Sequence, residues 1–344
     1  MTDFTKALLC WHDENARPLP WRLEKDPYKI WLSEIMLQQT RAETVVGYYG
    51  RFLDRFPTVS ALAEAEAVEV LKLWEGLGYY SRARNLMKAA KAVAAAGGFP
   101  RDVKGLRALP GVGEYTAGAI ASIAFGLAEP AIDGNQIRVL SRVFGIRVSA
   151  VSPEGRRALR QAAALAIPAE RPGDFNQAMM GLGAMICTPR PDCPRCPVSG
   201  FCDAFRVGDA ASLPVLPPKA DKRTEQRAVA LVFREKTVLV RRRPDEGLLA
   251  GLYEFPGFSG AKTAAEVRAA LHEIGVSPKN LRPGGSARHV FTHLVWRMDG
   301  WLCEADGAAE GEFVSAEALD ALPFPTALRA FREMALSALR EGAR

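Results

Sequence analysis

The sequence predicts a multidomain chain of α and α+β type, with an all-α part over residues 1–205 and a smaller α+β part over residues 228–344. Three observations predict it. Apolar residues recur at helical spacing, between short Gly-marked turns, as far as residue 205. The next stretch, RVGDAASLPVLPPKADKRTEQ, is rich in Pro, Ala and charge without any period, so residues 206–227 read as a linker. Beyond it, short Val- and Leu-rich runs separated by charged turns read as strands.

In the first part, Asp26-Pro27 offers a helix cap followed by Pro at the first helical position, and a helical apolar pattern covers residues 28–49. Residues 61–73, 81–96 and 114–125 are Ala- and Leu-rich at helical spacing. Gly76, Gly78, Gly97-Gly98, Gly111 and Gly113 punctuate them. In the second part, residues 228–233 and 237–241 flank Arg234-Glu235-Lys236, a β-hairpin signal. Residues 290–296 and 300–303 read as further strands, and residues 264–274 and 316–340 as helices. No internal repeat or low-complexity tract is evident.

At 344 residues the chain is long enough for two separate cores. No apolar run approaches a membrane span, which argues against a membrane partner. The start, MTDFTKALLCWHDENARPLPW, reads as folded helix rather than a targeting peptide, so a reducing, cytoplasmic location of bacterial type is expected. Nothing signals oligomerisation, and a monomer is expected. The net charge of +6 points towards a polyanionic partner. Residues 211–250 hold nine Lys or Arg against five Asp or Glu, and residues 251–344 ten against twelve, so the excess is not in the C-terminal body.

Four cysteines close the helical part: Cys187, Cys193, Cys196 and Cys202, spaced C-x5-C-x2-C-x5-C. Four thiolates on one tight loop can hold a 4Fe–4S cluster or one tetrahedral zinc. Disulfides fit badly with six cysteines in the whole chain and no secretory signal.

Leu109-Pro110-Gly111-Val112-Gly113, running into an Ala-rich helix, is a helix–hairpin–helix signature. The two glycines, Gly111 and Gly113, are expected to permit a turn that a Cβ would obstruct. Backbone N–H groups at the helix start can then hold a DNA phosphate without reading sequence.

The hairpin, the segment Ala131-Ile132-Asp133-Gly134-Asn135 and the four-cysteine loop together resemble the DNA glycosylase superfamily that includes endonuclease III. Within it the chain is most similar to the adenine DNA glycosylases of the MutY type. The similarity is carried by LPWR (19–22), PYKIWLSEIMLQQT (27–40), GLGYYSRARN (76–85) and FNQAMM (175–180). It covers nearly the whole chain and is strongest before residue 205. One departure is the first cysteine interval, five residues where the family has six.

The resemblance implies roles that the residues alone leave open. Glu34 lies in the apolar run WLSEIML, where a carboxyl is either solvent-facing or desolvated with a raised pKa. By resemblance it protonates N7 of adenine. Asp133, otherwise a good turn residue in Asp-Gly-Asn, would stabilise or capture the oxocarbenium-like sugar, and Asn135 would orient Asp133, Glu34 or a water. Strand-cleaving relatives carry a lysine where this chain has Tyr115, and a phenol cannot form their imine, so Tyr115 implies monofunctional chemistry. Gln39 and Tyr79 match residues that wedge into the duplex while the base is flipped, Leu37 and Gln38 line the same region, and Arg22 lines the adenine pocket. The same likeness selects the 4Fe–4S cluster for the cysteines.

The second part resembles the Nudix-like, MutT-like module appended to these glycosylases. Its helix stretch Arg268–Val276 keeps Glu273 but has Ala269 and His272 in place of two family glutamates, so a lesion reader is expected rather than a pyrophosphatase. Phe291-Thr292-His293 stands where the family has Phe-Ser-His, the motif that meets 8-oxoguanine. The implied partner is double-stranded DNA with an 8-oxoguanine:adenine or guanine:adenine mispair. The alternatives are a glycosylase for another base, a non-catalytic damage sensor, and a zinc-binding DNA module.

Overall fold

The computed structural model describes residues 1–218, 221–260, 263–306 and 309–341. The chain forms two compact units, Met1–Glu64 with Asn85–Lys219, and Ala65–Arg84 with Ala220–Arg344. Residues 65–84 thus group with the C-terminal part in space. No helix among the described residues is long and apolar enough to cross a membrane.

The first unit is helical. Its central helix, Pro27–Leu37, starts as the sequence predicts: Pro27 sits in the first turn, and the Asp26 carboxylate accepts from the Tyr28 amide at 2.7 Å. Apolar residues lie on all sides of this helix, so Tyr28 and every residue from Ile30 to Met36 are buried. It packs against Glu114–Phe125, whose Ala117, Gly118, Ala119 and Ala121 allow close approach. At Gly118 a Cβ would lie 2.3 Å from the Pro130 carbonyl oxygen, so glycine lets the chain pass there on its way to Asp133. Asn176 fixes that passage. Its side chain accepts from the Ala131 amide at 3.0 Å and donates to the Glu129 carbonyl at 2.8 Å. A second apolar cluster joins the helices Asp3–Asn15, Gly134–Val143, Pro153–Ala166 and Pro172–Met185 to Cys187 and Val198 of the cysteine loop.

The structure corrects several sequence-based bounds. The helix expected over residues 28–49 is two helices, Pro27–Leu37 and Ala42–Arg55. Between them the backbone turns through Gln39 at φ 58°. Residues 61–73 likewise divide into Val59–Ala63 and Ala67–Leu73. The segment 206–227 holds the end of helix Asp203–Val207, a 3-10 turn at Ala210–Ser212 and the start of a strand at Arg223.

The second unit is built on a sheet of seven strands among the described residues: β1 Arg223–Arg234, β2 Thr237–Arg242, β3 Tyr253–Glu254, β4 Gly257–Ser259, β5 Ser277–Val290, β6 Leu294–Asp306 and β7 Glu312–Val314. The main order is β3-β2-β1-β6-β5, with β4 on β1 and β7 on β2; β1 and β6 run parallel. Alternation along β1 feeds two cores. Val229 and Leu231 face a cluster with Phe324, Leu328 and Phe331 of the C-terminal helical segment. Ala228, Ala230 and Val232 face Val267 and Leu271 of the helix Ala264–Glu273. Cys303 lies in this second core and is a packing residue.

Strand β5 is absent from the sequence expectation because Pro278, Pro283, Gly284 and Gly285 read as breakers. The sheet accommodates them with register shifts between Lys279 and Arg282 and between Pro283 and Ser286. Of the strand expected at 290–296, Val290 ends β5 and residues 294–296 begin β6; the hairpin turn at 291–293 interrupts it, closed by the Phe291 amide donating to the Leu294 carbonyl at 2.8 Å. The run 300–303 is internal to β6. The helix expected at 316–340 is Ala316–Ala321 and Arg329–Glu341, separated because Pro323 and Pro325 cannot continue it.

Candidate active site

Two carboxylates organise the first unit. Glu34 comes from the all-round apolar helix and is 4% exposed. Burial raises its pKa, the hydrogen bond from the Tyr115 hydroxyl and the Arg22 charge lower it, and the Asp133 charge raises it again. Tyr115, in the first turn after the hairpin, has its own pKa pushed well above the phenolic range by burial and by the Glu34 charge. It therefore acts as a donor. Its hydroxyl also lies 3.8 Å from Met180 Sδ. Arg22 donates to Gln177 Oε1 at 2.8 Å, which anchors it from the helix Pro172–Met185.

Asp133 caps the helix Gly134–Val143. One oxygen accepts from the Gln136 amide at 2.7 Å, the other from Asn135 Nδ2 at 2.9 Å. Burial raises its pKa while these hydrogen bonds and Arg138 pull it down. The cap thus fixes the carboxylate's direction, and an Asp cap is worth about 1 kcal/mol to its helix.

Among the other sequence-predicted residues of this unit, Gln38 Nε2 donates to Thr116 Oγ1 at 3.2 Å. Leu37 is half-buried, and Gln39 is exposed with φ 58°, a left-handed backbone that glutamine seldom takes. At Gly111, φ is 76° and a Cβ would lie 2.7 Å from Asn85 Cβ, so glycine is needed. Gly113 corrects the expectation: its φ of −85° suits any residue and a Cβ there would meet nothing within 4 Å.

Cys187, Cys193, Cys196 and Cys202 line one small cavity with Val139, Val143 and Leu182. All four are free thiols. Burial raises Cys193, Cys196 and Cys202, with Cys196 at about 11. Among the described residues no group of three or more His, Cys, Asp or Glu converges to hold a single metal ion. Four soft donors lining one cavity are a donor set that a thiolate-held metal centre can use.

Sequence reasoning missed the two arginines that tie this loop to the helix capped by Asp133. Arg142, 2% exposed, donates to Cys187 Sγ at 3.3 Å and to the Thr188, Pro189 and Leu213 carbonyls. Arg138 donates to Asn135 Oδ1 at 2.9 Å, to the Cys187 carbonyl at 2.7 Å and to the Gly183 carbonyl at 2.6 Å. Their four-residue spacing, one face of a helix, was the available signal.

In the second unit, Tyr79 is 45% exposed with φ 47°, and its hydroxyl is hydrogen-bonded to Thr292 Oγ1. Arg82 donates to the Leu77 and Gly78 carbonyls and lies over the Tyr79 ring, holding the turn. Phe291 stacks edge-on between His289, 4.5 Å away, and Trp296, 4.9 Å away. Tyr79, Phe291, Thr292 and His293 line one cavity of about 440 Å3.

Residues 32–163 match the family described as HhH-GPD superfamily base excision DNA repair protein, and residues 228–334 match the NUDIX domain. The structure of a thermostable thymine-DNA glycosylase, 31% identical, superposes with a TM-score of 0.55 over 59% of this chain and 95% of that one. The rest of this chain lies outside that match. The adenine DNA glycosylase of Rattus norvegicus spans both parts, 38% identical over 86% of this chain and 69% of its own length. The chain belongs to the adenine DNA glycosylases. That of Buchnera aphidicola subsp. Schizaphis graminum is 34% identical over 85% of each chain. An adenine DNA glycosylase cleaves the N-glycosidic bond of adenine in base excision repair, and this chain is such an enzyme.

Proposed function

We propose that this glycosylase is monofunctional and releases adenine paired with 8-oxoguanine or guanine in double-stranded DNA, leaving an abasic site. The observation that carries the reading is the buried Glu34 carboxyl, held by the Tyr115 hydroxyl in the same polar cluster as a capped Asp133.

Burial holds Glu34 protonated to higher pH than an exposed glutamate, as a general acid for adenine N7 requires. Protonation makes the base a leaving group. The sugar left behind is cationic. Asp133, whose carboxylate accepts from two amide donors, stabilises that cation or captures it covalently, and Asn135 keeps its oxygen aimed. No lysine stands at position 115, so no Schiff base forms and the strand stays intact.

Gln39 and Tyr79, both in left-handed backbone and both exposed, are the wedge residues that occupy the stack when adenine is flipped out. Leu37 and Gln38 line the same region, and Arg22 borders the adenine pocket. The backbone at Gly111 and Gly113 takes a phosphate. The cavity with Tyr79, Phe291, Thr292 and His293 receives the 8-oxoguanine base, and the hydroxyl pair supplies donor and acceptor. Cys187, Cys193, Cys196 and Cys202 would hold a 4Fe–4S cluster, which on binding supplies a covalent cross-link for the loop and no step of the hydrolysis.

The test is Glu34→Gln. This variant keeps the shape of the side chain and loses the proton. Adenine release should fall by about 10²–10⁴-fold with DNA affinity retained. Unchanged release would remove Glu34 from the mechanism.

A further inference from the structure

Between β2 and β3 the chain runs Gly247-Leu248-Leu249-Ala250-Gly251-Leu252. Leu249 has φ 58°, a region where a leucine side chain is strained and glycine is not. The loop cannot relax, because four hydrogen bonds fix it. Arg243 Nε donates to the Leu248 carbonyl at 3.0 Å and Arg84 Nη1 to the Ala250 carbonyl at 2.6 Å. The Gly251 amide donates to Pro244 at 3.0 Å, and the Leu252 amide to Leu249 at 3.3 Å. Leu249 packs in part against the sheet core and also lines the 440 Å3 cavity. A second strained residue, Tyr79, lines the same cavity and bonds Thr292. Strain kept by an over-determined backbone concentrates at sites where geometry serves function.

We propose that Leu249 is a further specificity-determining residue, the apolar wall that packs the base opposite the target adenine and, with that base in the cavity, shuts water out from the otherwise exposed Tyr79–Thr292 hydroxyl pair. This rests on the reading of the cavity as the 8-oxoguanine site. A hydroxyl pair discriminates a lesion from plain guanine only where water cannot replace the lost contact. The left-handed backbone holds the leucine where a relaxed loop would let it swing away.

The test compares adenine release opposite 8-oxoguanine and opposite guanine in Leu249→Gly, Leu249→Met and Thr292→Ala, each with its thermal unfolding. Glycine is unstrained at this φ, which offsets the lost packing, so the unfolding temperature of Leu249→Gly changes little. Its preference for 8-oxoguanine over guanine should fall about tenfold, and Leu249→Met should keep the preference. Leu249→Asn, also at ease in this backbone, carries the test should the glycine variant not fold. Equal slowing on both duplexes with a lower unfolding temperature would make Leu249 a packing residue and overturn the proposal. So would an unchanged preference in Leu249→Gly when Thr292→Ala lowers it, with the cavity reading left standing. An unchanged preference in Thr292→Ala would overturn the cavity reading and this proposal together.

Discussion

Arg138 donates to Asn135 Oδ1 at 2.9 Å while its Nε holds the Cys187 carbonyl at 2.7 Å, so one guanidinium joins the Asp133 turn to the cysteine loop. Asn135 in turn donates to Asp133 at 2.9 Å. Displacing a reacting carboxylate by about 1 Å costs about 10²-fold in rate. Arg138→Lys keeps the charge but not the planar fork, and should lower single-turnover adenine release by about that factor. Wild-type release in Arg138→Lys would show that the turn holds itself.

The same turn can be disturbed from its other side. At Gly183 a Cβ would lie 2.7 Å from Asn135 Cβ and 3.2 Å from its Cα. Gly183→Ala must push Asn135 and should cost about 1–3 kcal/mol of stability, with a loss of release beyond the fraction unfolded. Chemical denaturation beside single-turnover kinetics separates the two effects. A variant as active and as stable as the parent would contradict the packing described here.

The pH dependence follows from Glu34 and Asp133. Both carboxyls are raised by burial. Release should decline on the alkaline side as Glu34 loses its proton, and on the acid side as Asp133 gains one. The Tyr115 hydroxyl lowers the Glu34 pKa, so Tyr115→Phe should move the alkaline limb upwards. A limb that stays in place or moves down would remove that hydrogen bond from the enzyme in solution.

Stability carries the same sign. A group whose folded pKa is raised stabilises most below its unfolded value, and that contribution is lost as pH rises through the folded value. Glu34→Gln never ionises. Its unfolding temperature relative to the parent should therefore increase as pH rises above the ordinary glutamate value of 4.5. A constant difference would mean that burial does not penalise the Glu34 charge.

Much of this was legible in the sequence, for reasons specific to each element. Asp26-Pro27 and the Ala-rich run 114–125 obey local helix rules, and the structure has helices Pro27–Leu37 and Glu114–Phe125 there. Strand β5 was illegible because its prolines and glycines lie at register shifts that only the partner strand reveals. Apolar spacing alone also ran through the turn at Gln39. Around the candidate site, WLSEIML left Glu34 either solvent-facing or desolvated, and the packing of neighbouring helices is what buries it. Arg138 could not be anticipated: its partners Gly183 and Cys187 are 45 and 49 residues away.

The cysteine loop offers a separate test. Cys196→Ser removes one of four soft donors. The purified parent should be brown with visible charge-transfer absorption, and the variant should lose that absorption and unfold at lower temperature. A colourless parent that carries zinc would contradict the cluster assignment.

The most direct measurement is adenine release from a duplex with one 8-oxoguanine:adenine pair, read before and after alkali, beside guanine:adenine, thymine:adenine and 8-oxoguanine:cytosine duplexes. The expected result is strand breaks after alkali alone, in the two purine mispairs alone, and fastest opposite 8-oxoguanine. Breaks without alkali would contradict the role given to Tyr115. No base loss from a protein that binds these duplexes would contradict catalysis by Glu34 and Asp133.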